Sequence, residues 1–460
     1  MKINRLFLIA FSAIVFVSCQ SDAEKADKFR LNNQFDEAAA LYKKGADAGD
    51  AYAMWRLSNA YANGDGVEFD QKEALKWLTK AAEGGCEEAK CDLARAYIFD
   101  WYDIGEDAEI GKEMMEKLVK ETDNSSVLTQ YARLLFYGSG TYEEDKDKAL
   151  RILEKIKDRN NPNYLGFMAD IYNIGGGKID RDMQKSIEYY KLAFEKGNRD
   201  CAYSLGCIYM LGDGGVTADT IAAIEWFKKG AEANQSDCMY SLAQIYLSED
   251  DNFSAYHNPT RGMELLKKAI AHGNGEACYW LGVLYFNGKY VDKDDLKFYE
   301  YSKKASELRN PNGLYNLAYC YMNGCGCEKN TIEGLETYRK AVKYGSGIAA
   351  YALYRHYFFS GMYYVSKDSV ENDYAEAKKY LLESARLGYD IGCFELAQQY
   401  YNGYGLFELN YQLAFNYMKK AADAGNVDAC SALSYFYSEG IGCQKDPNMA
   451  REYEDRTYAK

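Results

Sequence analysis

Proline is nearly absent from this sequence, with 4 copies in 460 residues. That scarcity excludes Pro-rich linkers, and no Gly- or Ser-rich stretch replaces them, so nothing divides the chain into separately tethered domains. Histidine is rarer still at 3 copies. His257, His272 and His356 stand in different segments without a His-x-x-x-His or Cys-x-x-Cys spacing, which removes the usual zinc patterns. Positive charge is short as well: 55 Lys and Arg face 69 Asp and Glu, a formal charge of −14. Phosphate binding needs a basic face that releases counterions, so nucleic acid is excluded as a partner. Period-two alternation is missing, which removes the sheet classes, and no Gly-x-Ser-x-Gly elbow marks a hydrolase nucleophile. No cofactor is implied, and the chain reads as a binding protein rather than an enzyme.

Long apolar runs are confined to the N-terminus. Lys2 and Arg5 precede an apolar stretch from Leu6 to Val17, which is the pattern of a signal peptide and too short for a membrane span. Ser18, Cys19 and the polar Gln20-Ser21-Asp22 resemble the lipobox of bacterial lipoproteins. That resemblance implies a signal peptide over 1–18, a lipid on Cys19, and a lipidated N-terminus with a short tether over 19–28. Gln20, rather than Asp, implies the outer membrane; whether the protein faces the periplasm or the cell surface stays open. Asp22 and Glu24 resemble the surface-export signal of Bacteroidota lipoproteins.

What the chain has in quantity is helix-forming sequence with one reiterated pattern, Leu-(small)-x-x-Tyr. It reads Leu57-Ser58 to Tyr61, Leu93-Ala94 to Tyr97, Leu205-Gly206 to Tyr209, Leu317-Ala318 to Tyr321 and Leu433-Ser434 to Tyr437, with further and degenerate copies between. Eleven copies follow one another at steps of 36 to 39 residues, with one step of 43 between Tyr357 and Tyr400. Such periods belong to helical-hairpin solenoids. Leu and Tyr four apart share a helix face, and the small residue beside Leu lets a partner helix approach. These tyrosines are expected in the core. Gly-x-Gly follows in many copies, as in Gly64-Asp65-Gly66 and Gly440-Ile441-Gly442, ending the helix in a tight turn. A second helix comes next, such as Lys72 to Ala82, and then a terminal Gly or Asn. One such hairpin leaves an apolar flank that only stacked neighbours bury.

In full, (Ala)-Leu-Gly-x-x-Tyr-x-x-Gly-x-Gly-Val followed by Asp-x-x-Lys-Ala-x-x-Trp-x-x-Lys-Ala-Ala-x-x-Gly is similar to the Sel1-like repeat family, cousins of the tetratricopeptide repeat. The resemblance spans residues 29–460. It implies an all-α fold, an α/α solenoid in a right-handed superhelix of about eleven hairpins, and a scaffold that holds a protein or peptide partner. A cysteine-rich branch reported to bind penicillin-like compounds bridges the two helices by a disulfide. Here Ala231 and Ala422 occupy the first of the two slots, which removes that bridge.

Of 13 cysteines, 12 lie beyond Cys19. Cys201, Cys238, Cys278, Cys393 and Cys430 recur at equivalent helix positions, which in stacked repeats lie about 10 Å apart, beyond the ~7 Å Cα limit for a disulfide. They read as small apolar core residues.

Departures from the repeat mark where a partner would bind. The copy around Leu353 puts Tyr354 in the small slot, adds Tyr357-Phe358-Phe359 and continues into Tyr363 and Tyr364. These six residues are the expected aromatic patch. The copies at Phe99-Asp100-Trp101 and at Ser248 to Asn258 lose the Gly loop and rank second. Tyr203, Tyr240, Tyr279, Tyr315 and Tyr351 recur in register and are expected to line one surface. The rival readings are glycan or peptidoglycan-fragment binding and a cell-wall hydrolase or β-lactam-binding enzyme.

Overall fold

Helices begin in this chain where an Asp or Asn side chain accepts the first free backbone N–H groups, and many end where glycine turns left-handed. The computed structural model describes residues 21–104, 107–363, 367–403 and 405–458. The expected signal peptide, Cys19 and Tyr364 lie outside these residues. In chain order the helices are α1 (Asp22–Leu31), α2 (Phe35–Asp47), α3 (Ala51–Asn63), α4 (Gln71–Glu83), α5 (Glu87–Ile98), α6 (Ala108–Glu121), α7 (Ser125–Tyr137), α8 (Lys146–Glu154), α9 (Pro162–Ile174), α10 (Met183–Glu195), α11 (Asp200–Leu211) and α12 (Thr220–Glu232). They continue as α13 (Ser236–Leu247), α14 (Pro259–Ala271), α15 (Gly275–Asn287), α16 (Asp295–Glu307), α17 (Pro311–Asn323), α18 (Thr331–Lys343), α19 (Gly347–Tyr363), α20 (Lys367–Arg386), α21 (Asp390–Asn402), α22 (Tyr411–Asp423), α23 (Val427–Glu439) and α24 (Pro447–Tyr458). Each odd helix packs on the next even one, so the fold is the expected all-α array of hairpins. Among the described residues the only β pairing is an isolated bridge between Gly176 and Ile179.

Eleven hairpins carry the Leu-(small)-x-x-Tyr pattern, and α1 with α2 adds one in front of them. This revises the expected tether over 19–28, which is helical from Asp22 onward. Ser21 caps α1, its hydroxyl accepting from the Glu24 N–H at 3.1 Å while Glu24 Oε2 accepts from the Ser21 N–H at 3.3 Å. Ala23 and Ala26 are buried against α2. Ser21 and Glu24 therefore have a helix-starting job independent of any export signal.

One backbone bond closes most of the hairpin loops. The residue that caps the second helix donates its N–H to the carbonyl of the motif Tyr in the first: Asp70 to Tyr61 at 3.1 Å, Asp182 to Tyr172 at 2.8 Å, Asp219 to Tyr209 at 2.7 Å and Asn330 to Tyr321 at 2.8 Å. Where the Gly loop is lost, the chain makes 3-10 turns instead, at Trp101–Asp103 and Asp251–Tyr256. The closing bond survives in the second of these, from Asn258 to Tyr246 at 2.8 Å. In intact Gly-x-Gly loops the first glycine is the left-handed cap and the second allows contact with the neighbouring hairpin. Gly66 has φ 70°, and a Cβ there would fall on the Phe35 carbonyl at the start of α2; at Gly442 it would fall on the Tyr411 carbonyl.

The chain divides into two compact units, one ending at Met239 and the other starting at Tyr240. In each, the motif leucines form the buried seam: Leu57 and Leu205 in the first, Leu281, Leu353, Leu396 and Leu433 in the second, all 0 % exposed. Burying such a side chain contributes about 1.5–3 kcal/mol. Cys201, Cys238, Cys278, Cys393 and Cys430 are buried in the same seams as free thiols.

The motif tyrosines are less buried than expected: Tyr246 and Tyr285 are in the core, whereas Tyr61, Tyr172, Tyr400 and Tyr437 are half-buried. They stack on an aromatic of the second helix. Tyr172 lies 5.5 Å from Tyr189, Tyr285 5.7 Å from Tyr301, Tyr400 6.0 Å from Tyr417 and Tyr437 5.7 Å from Tyr453, with interplanar angles of 20°, 6°, 8° and 16°. A cation covers the pair, for example Lys297 over Tyr285 at 4.7 Å and Arg456 over Tyr453 at 4.7 Å.

Candidate functional site

The first unit closes on itself. Asp65 sits in the loop after α3, and Arg199, just ahead of α11, donates from Nη1 to its two carboxylate oxygens at 2.9 and 2.8 Å and to the Ala233 carbonyl at 3.2 Å. Asn234 Nδ2 adds a bond to Asp65 Oδ1 at 3.3 Å. Beside this link the end of α1 meets the turn after α10, where a Cβ on Gly197 would run into the Leu31 side chain.

Within the closed ring lies a cavity of about 380 Å³ and, beside it, a second of about 470 Å³ that shares walls at Trp55, Arg56, Asn59, Glu88, Ser126 and Asn163. These volumes fall in the range of ligand pockets. The walls come from α3, α5, α7, α9 and α11, the first helices of successive hairpins, with α1 and α2 closing the end near Arg30 and Tyr42. One end is charged. Asp27 Oδ1 accepts from Tyr42 Oη at 2.6 Å and pairs with Arg56 Nε at 2.9 Å, and Asp27 Oδ2 accepts from Tyr52 Oη at 2.8 Å. Burial pushes the Tyr52 phenol up to about 12 and raises Tyr42 as well. Arg30 also lines this end. Burial, and then the nearby Arg56, hold its guanidinium below the usual arginine range, and its Nε is buried with no hydrogen bond.

Aromatic and amide groups line the other end. Trp55 Nε1 donates to Asp92 Oδ2 at 2.8 Å, and Arg56 lies 4.7 Å over the Trp55 ring. Trp101 stacks on Phe99 at 5.6 Å and is covered by Arg95 at 4.8 Å. Asp100 and Tyr102 hold positive φ, 51° and 66°. Non-glycine residues there store strain, and such strain concentrates where a loop must present side chains. The Oε1 of Gln130 is buried without a hydrogen bond.

The aromatic residues expected to form a patch in the second unit are not brought together on a surface. Tyr354 is 3 % exposed and donates to Glu395 Oε1 at 3.0 Å. Tyr357 is the motif Tyr of its hairpin; it stacks on Tyr380 at 5.9 Å and 7°, and its hydroxyl accepts from Arg339 Nη2 at 2.6 Å. Phe358 is half-buried against Tyr354 and Tyr374. Phe359, 45 % exposed, is the one of these four at the surface. Tyr363 and Tyr364 lie outside the described side chains. The bulky residue in the small slot turns inward to fill the gap towards α21 rather than outward. Of the tyrosines in register, Tyr203 is 38 % exposed, and Tyr240, Tyr279, Tyr315 and Tyr351 are half-buried, with Tyr240 against Trp280, Tyr315 against Tyr338 and Tyr351 against Tyr389.

Sequence reasoning ranked the Trp101 loop second and missed Arg30, Trp55, Arg56, Asn59 and Gln130. The available signal was register: Trp55 stands two residues before Leu57, the slot that Tyr203 holds before Leu205. Among the described residues, no group of three or more His, Cys, Asp or Glu is placed to hold a metal ion, and no helix is long and apolar enough to cross a membrane.

The chain resembles several solved structures. A protective antigen of uropathogenic Escherichia coli with the SLR fold is 24 % identical, covering 91 % of this chain and 86 % of its own, with a TM-score of 0.42. A Sel1 repeat protein from Oxalobacter formigenes is 22 % identical over 68 % of this chain and 88 % of its own, also with a TM-score of 0.42. Among curated proteins, an exopolysaccharide production negative regulator from Rhizobium leguminosarum bv. viciae is 41 % identical over 56 residues, 12 % of this chain and 21 % of the regulator. The Sel1 repeat model matches residues 32–50, 51–86, 125–161, 163–198, 199–235, 236–274, 275–310, 311–345, 357–389, 391–426 and 427–453. It passes over residues 87–124, the hairpin whose Gly loop is replaced by the Trp101 turn. With the model matching most of its length and the hairpins stacked as that repeat requires, the chain belongs to the Sel1 repeat family.

Proposed function

We propose that this protein is an outer-membrane lipoprotein, anchored through Cys19, whose Sel1 repeats act as a non-catalytic scaffold for a protein or peptide partner in the cell envelope. The observation that carries the binding reading is the groove of the first unit: two adjoining cavities walled by successive hairpins and lined with amide and charged groups. A solenoid that stacks identical units presents such a surface as a row of repeated positions, which suits an extended or folded polypeptide better than a small substrate. The anchoring half of the proposal is supported by the basic, apolar and Ser18-Cys19 sequence of the N-terminus.

The test is crosslinking in intact cells with a photoreactive residue in place of Asn59, compared with the same residue at Phe359, after both variants are shown to be folded and membrane-bound. Recovery of one envelope protein from the Asn59 position is the expected result. Recovery of glycan or muropeptide alone would replace the protein-scaffold reading with the glycan one. A Cys19→Ser chain that still partitions with the outer membrane would remove the lipid anchor from the proposal.

A further inference from the structure

The groove contains polar atoms that the chain leaves unanswered, and their kinds describe what is missing. Arg56 has Asp27 at 2.9 Å and Arg199 has Asp65 at 2.8 Å. Arg30, on the same wall, has no carboxylate within ion-pair distance among the described residues, and its Nε is buried without an acceptor. An arginine stays protonated at any physiological pH, so this is a cation held beside two others, with Asp27 near it but no carboxylate bonded to it. Leaving such a donor unsatisfied is costly, the more so for a charged group. At the other end Gln130 Oε1 is an acceptor with no donor. Between the two ends stands Asn59, whose side-chain amide both donates and accepts.

An anion at one end, an N–H donor at the other and an amide along the wall match a peptide. A sugar would need free aromatic faces, and here they are taken: Arg56 covers Trp55 at 4.7 Å, and Trp101 is held between Phe99 and Arg95. A doubly charged phosphate would meet Asp65, Glu88 and Asp200 on the same walls. A singly charged carboxylate meets about half of that repulsion.

We propose that the groove of the first unit takes an extended peptide segment bearing a carboxylate, which sits on Arg30 beside Arg56 and Arg199 while a backbone N–H of the segment is offered to Gln130. This deepens the scaffold reading and rests on it. The strain in the Asp100 to Tyr102 turn and the unanswered guanidinium of Arg30 are then costs that the peptide offsets.

The probes are two libraries of N-acetylated hexapeptides, one with free C-terminal carboxylates and Asp and Glu allowed, the other amidated at the C-terminus and lacking Asp and Glu. Each is equilibrated with the full chain purified in detergent. The first library should be retained and the second retained at least tenfold less. Arg30→Gln and Gln130→Leu should each weaken retention, Arg30→Gln by tenfold or more and Arg30→Lys by less. Arg30→Gln should also melt no lower than the parent, because it removes an unpaired buried charge; a purely structural Arg30 would melt lower and bind as before. Equal retention of both libraries, retention of neither, or retention unchanged in a folded Arg30→Gln chain overturns the proposal. If crosslinking from Asn59 still captures an envelope protein in those cases, the scaffold reading stands and the carboxylate peptide does not.

Discussion

Arg199 and Asp65 are 134 positions apart, yet one guanidinium nitrogen of the first bonds both carboxylate oxygens of the second, at 2.9 and 2.8 Å. Their side chains are 18 % and 12 % exposed, so the pair is largely shielded from water. Arg199→Ala and Asp65→Ala should each cost about 1–3 kcal/mol, since either change leaves the other largely shielded charge without its ion-pair partner, Asp65 keeping Asn234 and Arg199 keeping the Ala233 carbonyl. The double variant should cost less than the sum. A denaturant study of the four proteins checks this, and strict additivity would mean that the pair is not coupled.

Glycines with the same backbone sign should differ in what they tolerate. Gly49 has φ 93° with nothing within 4 Å of a Cβ, whereas the Cβ of an alanine at Gly66 would strike the Phe35 carbonyl. Gly49→Ala should cost roughly 1 kcal/mol, the left-handed penalty alone. Gly66→Ala should cost about 2 kcal/mol more, because backbone must also move. Equal melting temperatures for the two variants would contradict the close-contact role of the second loop glycine.

Alkaline pH should unfold the protein ahead of general base damage. Burial pushes the Cys86 and Cys278 thiols from 9.0 up to about 12, and the Tyr52 and Tyr240 phenols from 10.0 up to about 12. These are acids whose folded pKa is raised, so above pH 9 the unfolded chain loses protons that the folded chain retains. Stability is therefore full below pH 9 and falls as pH rises from 9 towards 12. Denaturant midpoints measured across that window should drop steadily; a flat profile would refute the burial of these groups. At pH 8, thiol reagents should reach only the half-buried Cys207, Cys325, Cys327 and Cys443 of the folded chain, and the eight buried cysteines after unfolding.

Around Leu353 the direction of the side chains decides the outcome. Tyr354→Ala should cost about 3–5 kcal/mol by opening a cavity. Tyr354→Phe should cost about 1 kcal/mol, because Glu395 keeps the bond from Gln399 Nε2 at 3.2 Å. Phe359→Ala should change stability by about 0.5 kcal/mol or less. Thermal melts of the three variants in that order test whether the aromatic cluster is core.

Tyr354 also shows where sequence reading stops. Its size at a slot meant for a small residue was legible; whether it turned outward or inward was not, because that depends on the space left by α21. Periodicity exposed the eleven motif-bearing hairpins, since Leu57 and its counterparts obey one local rule. The span from residue 29 already took in α2, but its pairing with α1 escaped because that hairpin lacks the motif and is held by alanines. The stacked tyrosines were partly legible: an aromatic 16 or 17 residues after the motif Tyr, as at Tyr189 and Tyr301, was visible as a pattern but not as a stack. The groove was least visible, because Arg30, Asn59 and Gln130 come from different hairpins and meet only when Arg199 reaches Asp65.

The bond from the cap of each second helix to the motif Tyr carbonyl has a consequence for how such a protein changes over time. It joins Tyr61 to Asp70, Leu135 to Asp145 and Tyr246 to Asn258, spans of 9, 10 and 12 residues, with the same geometry at both ends. A hairpin that carries this bond is clasped by its own backbone, whatever length or sequence hangs between the clasp points. Insertions, deletions and new side chains can collect in those loops without disturbing the adjoining repeats. The rack stays fixed while its fittings are exchanged one at a time, and a loop such as Ser248 to His257 can give up its glycines for a 3-10 turn while its neighbours keep their original form.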